Sequence, residues 1–314
     1  MIGSYKKILI LIVCLLRTIT SMKNYFIIPC LTALLQLAVM EPLYSQQFYK
    51  FSKFTEPYVD LSGSVSLNNN LIWDDPVYRI PIGFTFKFFN QNFDSLYVSD
   101  YAWFDDSTQY WIYALDADFK DRGTSSSLSP ISYLLAGNPG SGILKIEWKN
   151  AGFYLDTSLT DFINVQLWLY EGTNDIDIHI GQNSVLNPNT YGTDEGGAVG
   201  ITDNVSGQNI YLTGPASNPI QTTGVTTLSG TPSNGMVYRF AKCIFPVAGF
   251  GYSVDSNLAV SFFNSSVNGL NFNWDFGDFF TDSVSNPIHT YSDTGKYTVN
   301  FLVSNNCDPD TASQ

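Results

Sequence analysis

Histidine is nearly absent from this 314-residue chain, which has only His179 and His289. A Ser–His–Asp type of site would have to use one of those two. No G-x-S-x-G elbow, phosphate loop or post-strand G-x-G-x-x-G motif supplies another route to a familiar reaction. Charge is also sparse, at 14% of residues against about 25% in an average domain. The little charge present is one-sided: 15 basic residues face 28 acidic ones, for a net charge of −13. The first 45 residues carry Lys6, Lys7, Arg17 and Lys23 against Glu41, so the remainder stands at −16. Such a surface is repelled by phosphate backbones and anionic lipid, which excludes nucleic-acid binding. Cysteine is limited to Cys14, Cys30, Cys243 and Cys307. With so few histidines nearby, a structural zinc site is excluded in practice. Beyond the N-terminus no apolar run follows a helical period.

Two apolar runs open the chain, Ile8–Leu16 behind Lys6 and Lys7, and Tyr25–Val39 behind Lys23. Both are shorter than the roughly 20 residues of a membrane span. The second has the layout of a secretory signal, a basic start and an apolar stretch leading to a polar exit at Glu41–Ser45. Residues 1–45 therefore read as a signal region, with translation from Met22 and cleavage near Ser45–Gln46. Membrane contact is expected only through this segment. Export leaves the mature chain with Cys243 and Cys307, and one pair in an oxidising compartment reads as one disulfide.

What is plentiful is Phe, Tyr, Asn, Ser, Thr and Gly, the vocabulary of half-buried strands joined by polar turns. Near the C-terminus, Leu258–Phe263 reads as a strand. Leu270, Phe272, Trp274 and Phe276 alternate with polar residues on a second, and Gly277-Asp278 turns the chain. Tyr297, Val299, Phe301 and Val303 line one side of a third. Asp293-Thr294-Gly295-Lys296-Tyr297 has the tyrosine-corner pattern of immunoglobulin-like sandwiches, in which the Tyr hydroxyl bonds upstream backbone.

Three motifs in order, Trp274-Asp275-Phe276-Gly277-Asp278, Asn286-Pro287-Ile288-His289-Thr290-Tyr291 and Gly295-Lys296-Tyr297-Thr298-Val299, resemble the PKD domain family. The resemblance covers residues 243–314 and implies an extracellular spacer or interaction module. It also implies that flanking Cys243 and Cys307 pair, as in PKD repeats of secreted Bacteroidetes-type proteins. One departure stands out: the family places Gly after Asp278, and here Phe279 follows. Asp275 and Asp278 read either as turn organisers or as calcium ligands, and His289 as a loop-packing residue. The resemblance further implies a sorting domain beyond Gln314, or export by the N-terminal signal alone.

Residues 47–242 show many short strands at frequent intervals, predicting a larger, jelly-roll-like β-sandwich before the Ig-like one. Ile80–Phe89, Ser95–Ser99, Ile143–Trp148, Phe162–Tyr170, Asp175–Ile180 and Val237–Phe240 are the clearest, with a hairpin across Glu171–Asn174. Val165, Leu167 and Leu169 are placed inward. The segments PIGFTFKFF, ILKIEWKNAGF, VQLWLYEGTNDIDIHIG and GMVYRF resemble a sandwich that precedes PKD or sorting domains in the same kind of secreted protein, without implying an activity.

Candidate sites in this region are carboxylates and aromatics. Glu147 and Glu171 could form a glycosidase pair, which needs carboxyls about 5–9.5 Å apart, though Glu147 shares a strand face with Lys145 and so reads as solvated. Asp116, Asp118 and Asp121 have the flavour of a calcium loop without the EF-hand glycine and glutamate. Asp74-Asp75 and Asp105-Asp106 are similar acidic turns. Tyr101, Trp103, Phe104, Tyr110, Trp111 and Tyr113 form either core or a platform for sugar rings. The expectation is an exported, non-catalytic surface or adhesion protein that binds an extracellular glycan or protein. A carbohydrate-active hydrolase and a purely structural surface component are the alternatives. No cofactor is expected apart from calcium at those aspartates.

Overall fold

The computed structural model describes residues 48–104, 109–186, 190–192, 194–255, 257–307 and 309–314. The signal region, Cys14, Cys30 and the Asp105-Asp106 turn lie outside the described residues. Among those described there are 23 strands and no α-helix.

The first sandwich opens with β1 (Tyr49–Thr55) and β2 (Val65–Ser66). A meander follows: β3 (Tyr78–Phe88), β4 (Gln91–Val98), β5 (Ala102–Phe104) and β6 (Tyr110–Asp116). After the short β7 (Phe119–Lys120) comes a second meander of β8 (Ile131–Ala136), β9 (Ile143–Phe153), β10 (Phe162–Tyr170) and β11 (Ile176–Ser184). The closing strands are β12 (Ala198–Asp203), β13 (Gln208–Pro215), β14 (Ile220–Thr222), β15 (Leu228–Ser229) and β16 (Met236–Lys242). One sheet has the order β1-β16-β11-β10-β9-β8-β2 with β7 beside β9, and the other β14-β13-β12-β6-β5-β4-β3 with β15 beside β13.

Period-two alternation decides which side chains meet between the sheets. Val165, Leu167 and Leu169 of β10 are fully buried, opposite none but apolar neighbours such as Ile178 and Ile146. Each such side chain contributes about 1.5–3 kcal/mol on burial. The inner faces of both sheets merge into one core that includes Ile112, Trp148, Phe153 and Phe240.

The second sandwich packs β17 (Phe250–Val254), β18 (Ala259–Asn264) and β21 (Ile288–Thr290) against β19 (Asn271–Asp275), β20 (Thr281–Asp282), β22 (Asn300–Ser304) and β23 (Asp310–Ser313). Its core centres on Trp274, stacked on Phe301 at 3.7 Å between ring centroids. Cys243 and Cys307 form a disulfide with Cα atoms 5.6 Å apart, within the usual range.

Two expectations change here. Leu270, which precedes β19, is 69% exposed rather than sharing the buried face of Trp274 and Phe276. The strand expected from Tyr297 starts at Asn300. Residues 293–297 form the tyrosine corner instead, where the Tyr297 hydroxyl donates to Asp293 O at 3.1 Å.

Candidate functional site

The residues of the C-terminal motifs build the sandwich rather than a cleft. Trp274 and Phe276 are core, Pro287 is buried, and its carbonyl accepts from Phe262 N. The Tyr291 hydroxyl donates to Phe276 O at 3.0 Å, and its ring stacks on Tyr297 at 4.1 Å. Gly295 lies against that Tyr297 ring. Asp275 accepts from Gly277 N at 3.0 Å, and Asp278 from Phe280 N at 3.2 Å. Both carboxylates therefore organise the turn. His289 stacks on Phe276 at 4.2 Å and bonds Asp278 Oδ2 at 2.7 Å. Gly277 has φ +77°, and a Cβ there would come within 2.4 Å of Thr298 O.

The two glutamates of the first sandwich are kept apart. Glu147 pairs with Gln166 across β9 and β10, whereas Glu171 lies past the last rung, where its amide bonds Gly142 O. Five residues along a strand is about 16 Å, beyond the reach of a glycosidase pair. Glu171 caps a turn by accepting from Gly140 N and Gly142 N, each at 2.8 Å. Glu147 is not solvated: it is 3% exposed and accepts from the Tyr58 hydroxyl, Leu61 N and Gln166 Nε2. The segment 56–62 covers that outer sheet face, so the strand parity with Lys145 does not place Glu147 in water.

The aspartates divide as well. Asp121 is buried and closes its own loop, accepting from Gly123 N at 2.7 Å and Leu128 N at 2.9 Å. Asp118 meets Asp75 and Asp100 instead, with one carboxylate oxygen of each within 4.8 Å of the others. Asp100, in the β4–β5 turn, is 7% exposed. Burial, reinforced by the neighbouring Asp116 carboxyl, pushes its pKa up to about 7. Burial also raises Asp116 and Asp118. The group can share protons, and Asp75, Asp100 and Asp118 offer the oxygen ligands a hard cation takes. Beside Asp116 and Asp118 opens a cleft of 710 Å³ walled in part by Leu155, Tyr191 and Val225.

Next to these acids lies a face of aromatic rings. On β4, β5 and β6 the inward positions are Leu96, Val98, Ala102, Phe104, Tyr110 and Ile112, all core. The outward positions are Tyr97, Trp103, Trp111 and Tyr113, each half-buried. Tyr97, Trp103 and Trp111 sit opposite one another on one rung. Tyr101 rises from the turn and stacks on Trp111, with centroids 5.2 Å apart and planes 3° off parallel. Tyr97 stacks on Trp103 at 5.2 Å, and Tyr113 meets Tyr211 of β13 at 5.6 Å. Gly200 lies between Tyr113 and Tyr211, and a Cβ there would stand 2.8 Å from the Tyr211 ring. The rung beyond Trp111 continues through Thr202 and Asn209, whose Oγ1 and Oδ1 are buried and, among the described residues, without a hydrogen-bond partner.

Of the six aromatics singled out from sequence, then, Phe104 and Tyr110 are core, and the other four face out. Tyr97, Tyr211 and Asp100 were missed. The signal for Tyr97 was present, since Leu96-Tyr97-Val98 alternates just as Ala102-Trp103-Phe104 does.

The architecture defines a two-module all-β protein, a large two-sheet sandwich followed by an immunoglobulin-like one. The first module settles its kinship: residues 48–242 match the NIDO-related family, and the chain belongs to it. Residues 251–314 match the PKD domain. Two solved structures resemble this second part. The PKD1 domain of the Vibrio cholerae metalloprotease PrtV is 34% identical over 23% of this chain and 93% of that one, with a TM-score of 0.21. The PKD1 domain of Vibrio anguillarum Epp is 32% identical over 23% and 92%, with a TM-score of 0.20. No curated protein matches the chain.

Proposed function

We propose that the protein is a non-catalytic binding or adhesion protein of the extracellular or outer-surface space, holding a neutral glycan on the aromatic face of its NIDO-related sandwich. The observation that carries this reading is the row of half-buried rings Tyr97, Trp103, Tyr101, Trp111 and Tyr113, which ends against the buried ring of Tyr211. Flat, amphipathic rings stack on the apolar faces of pyranose rings while hydroxyls around the rim find polar partners. The neighbouring exposed carboxylates of Asp75 and Asp118 are such partners. The charge of −13 disfavours sulfated or uronate-rich polymers and leaves neutral ones. The PKD module and the disulfide support an extracellular location. In this reading the PKD module is the spacer.

The test is a glycan array with the full chain, followed by calorimetry on the best neutral ligand. Trp103→Ala and Trp111→Ala should each weaken binding about tenfold, the worth of one aromatic contact, while leaving circular dichroism unchanged. Binding untouched by both variants, or turnover of the bound glycan, would overturn the proposal.

A further inference from the structure

The outer face of the other sheet carries a second, unrelated arrangement. Two rungs matter. Lys145, Trp168, Asp177 and Arg239 lie across β9, β10, β11 and β16, and Glu147, Gln166 and His179 lie across the first three. The segment 56–62 lies over these rungs and leaves a cleft of 350 Å³ between itself and Lys145, Gln166, Trp168 and His179.

Almost every polar atom in the wall has a partner. Gln166 Nε2 donates to Glu147 Oε1 and to Val59 O, and its Oε1 accepts from Trp168 Nε1 at 2.8 Å. Asp177 is fully buried and accepts from Arg239 Nε at 2.7 Å and the Tyr170 hydroxyl at 2.8 Å. Two groups are less fully satisfied, and both touch Trp168. Lys145 Nζ lies 3.4 Å from the centroid of the indole ring, with no ion-pair partner among the described residues. The His179 ring stacks on Trp168 at 3.9 Å and is 3% exposed. Among the described residues its Nε2 has no hydrogen-bond partner, and Asp177 Oδ2 is 3.8 Å away.

A half-exposed cation without an ion pair, beside a buried imidazole nitrogen without a hydrogen bond, leaves room for a ligand that meets both. Desolvation in this cleft lowers the Lys145 pKa, with the Glu56 carboxylate at the rim opposing. An anion would reverse that. The Glu56 and Asp60 carboxylates at the rim limit its charge, since a doubly charged species meets twice their repulsion. Asp60 is partly neutralised by Lys149 at 2.6 Å. A neutral sugar gains less here, because it cannot neutralise Lys145 and the Gln166 and Trp168 polar groups are already paired.

We propose that the cleft beneath residues 56–62 binds a small monocarboxylate, with Lys145 as counter-ion and His179 as a neighbouring hydrogen-bonding group. This site is independent of the aromatic face, which lies on the other sheet.

The experiment is an NMR titration of the full chain near neutral pH with sodium acetate, sodium glucuronate, glucose and inorganic phosphate. The reporters are the Trp168 indole N–H and the His179 ring. Both carboxylates should shift them saturably, glucose should not, and phosphate should bind at least about tenfold more weakly. Glucuronate tighter than acetate would show that the sugar ring adds contacts, and equal affinity that the carboxylate alone is read. Either supports the proposal. Lys145→Met keeps an unbranched stem over Trp168 and should weaken carboxylate binding about tenfold or more. Trp103→Ala and Trp111→Ala should leave it unchanged. No saturable shift up to about 100 mM acetate or glucuronate, far weaker than the millimolar affinities that define weak sites, would overturn the proposal. Wild-type affinity in a folded Lys145→Met protein, or phosphate binding as tightly as carboxylate, would do the same.

Discussion

Asp100 is a carboxyl placed where ionisation is penalised, buried in the β4–β5 turn with Asp116 beside it. Its pKa of about 7 in the folded chain compares with an ordinary 3.8. Between those values the folded protein holds a proton that the unfolded chain has lost. Stability therefore falls as pH rises through that window and levels off above it. The full contribution is at most about 4 kcal/mol. Thermal melts should show the melting temperature dropping from about pH 5 to pH 7.5 in the wild type. Asp100→Asn, which cannot ionise, should flatten that profile, and an unchanged slope would remove Asp100 as its cause. Phe279 makes the complementary case through the backbone. It adopts φ +72° and is fully exposed, at the turn position where the PKD pattern has Gly. A non-glycine residue in the left-handed region costs about 1–2 kcal/mol, partly offset by the greater unfolded-state freedom of Gly. Phe279→Gly should raise stability by about 0.5–1 kcal/mol, read from denaturant midpoints. That strain was legible in the sequence as a departure from the motif. The burial of Asp100 was not, because nothing local announces that a turn aspartate will be roofed by Asp116 and faced by Asp75.

At the scale of elements, alternation located β3, β9, β10, β11, β16, β18 and β19 closely, and it placed Val165, Leu167 and Leu169 correctly. It failed where a distant segment covers a nominally outward face. Glu147 is the example, since the Tyr58 hydroxyl that bonds it lies 89 residues away in sequence. It failed again where a strand gives way to a local motif, as at Tyr297. The disulfide is an element-scale constraint with a measurable consequence. Cys243 follows β16 and Cys307 follows β22, so the bond ties the segment entering the Ig-like sandwich to the β22–β23 connection across a separation of 64 residues. Closing a loop of that size removes unfolded-state entropy worth about 4 kcal/mol in the chain-entropy model. The Cys243→Ser, Cys307→Ser double variant should lower the unfolding free energy of the PKD module by about 2–4 kcal/mol. The transition of the NIDO-related sandwich should move little, because its core cluster contains neither cysteine. Two resolved calorimetric transitions, one shifted, are the expected outcome; a matching shift of both would mean that the modules unfold as one.

For the whole molecule, charge and aromatic content act together on what it can hold. A surface of −13 repels polyanions over a range set by the Debye length, about 10 Å at 0.1 M salt. Ring-on-ring contact with a neutral glycan involves no charge pairing. Affinity for a neutral polysaccharide should therefore change less than about twofold between 0.05 and 0.5 M salt, the Debye length shrinking severalfold over that interval. Heparin-like or nucleic-acid polymers should fail to bind even at the low end, because a net charge of −13 repels them. Affinity electrophoresis through gels containing each polymer reads both outcomes directly. A steep loss of neutral-glycan binding with salt would assign recognition to the Asp75, Asp100, Asp116 and Asp118 group rather than to the rings. The aromatic face itself was half legible: sequence gathered Tyr101, Trp103, Trp111 and Tyr113. The sheet order that sets Tyr97 and Tyr211 at the two ends of their row is a long-range fact, fixed only when β12 inserts between β6 and β13.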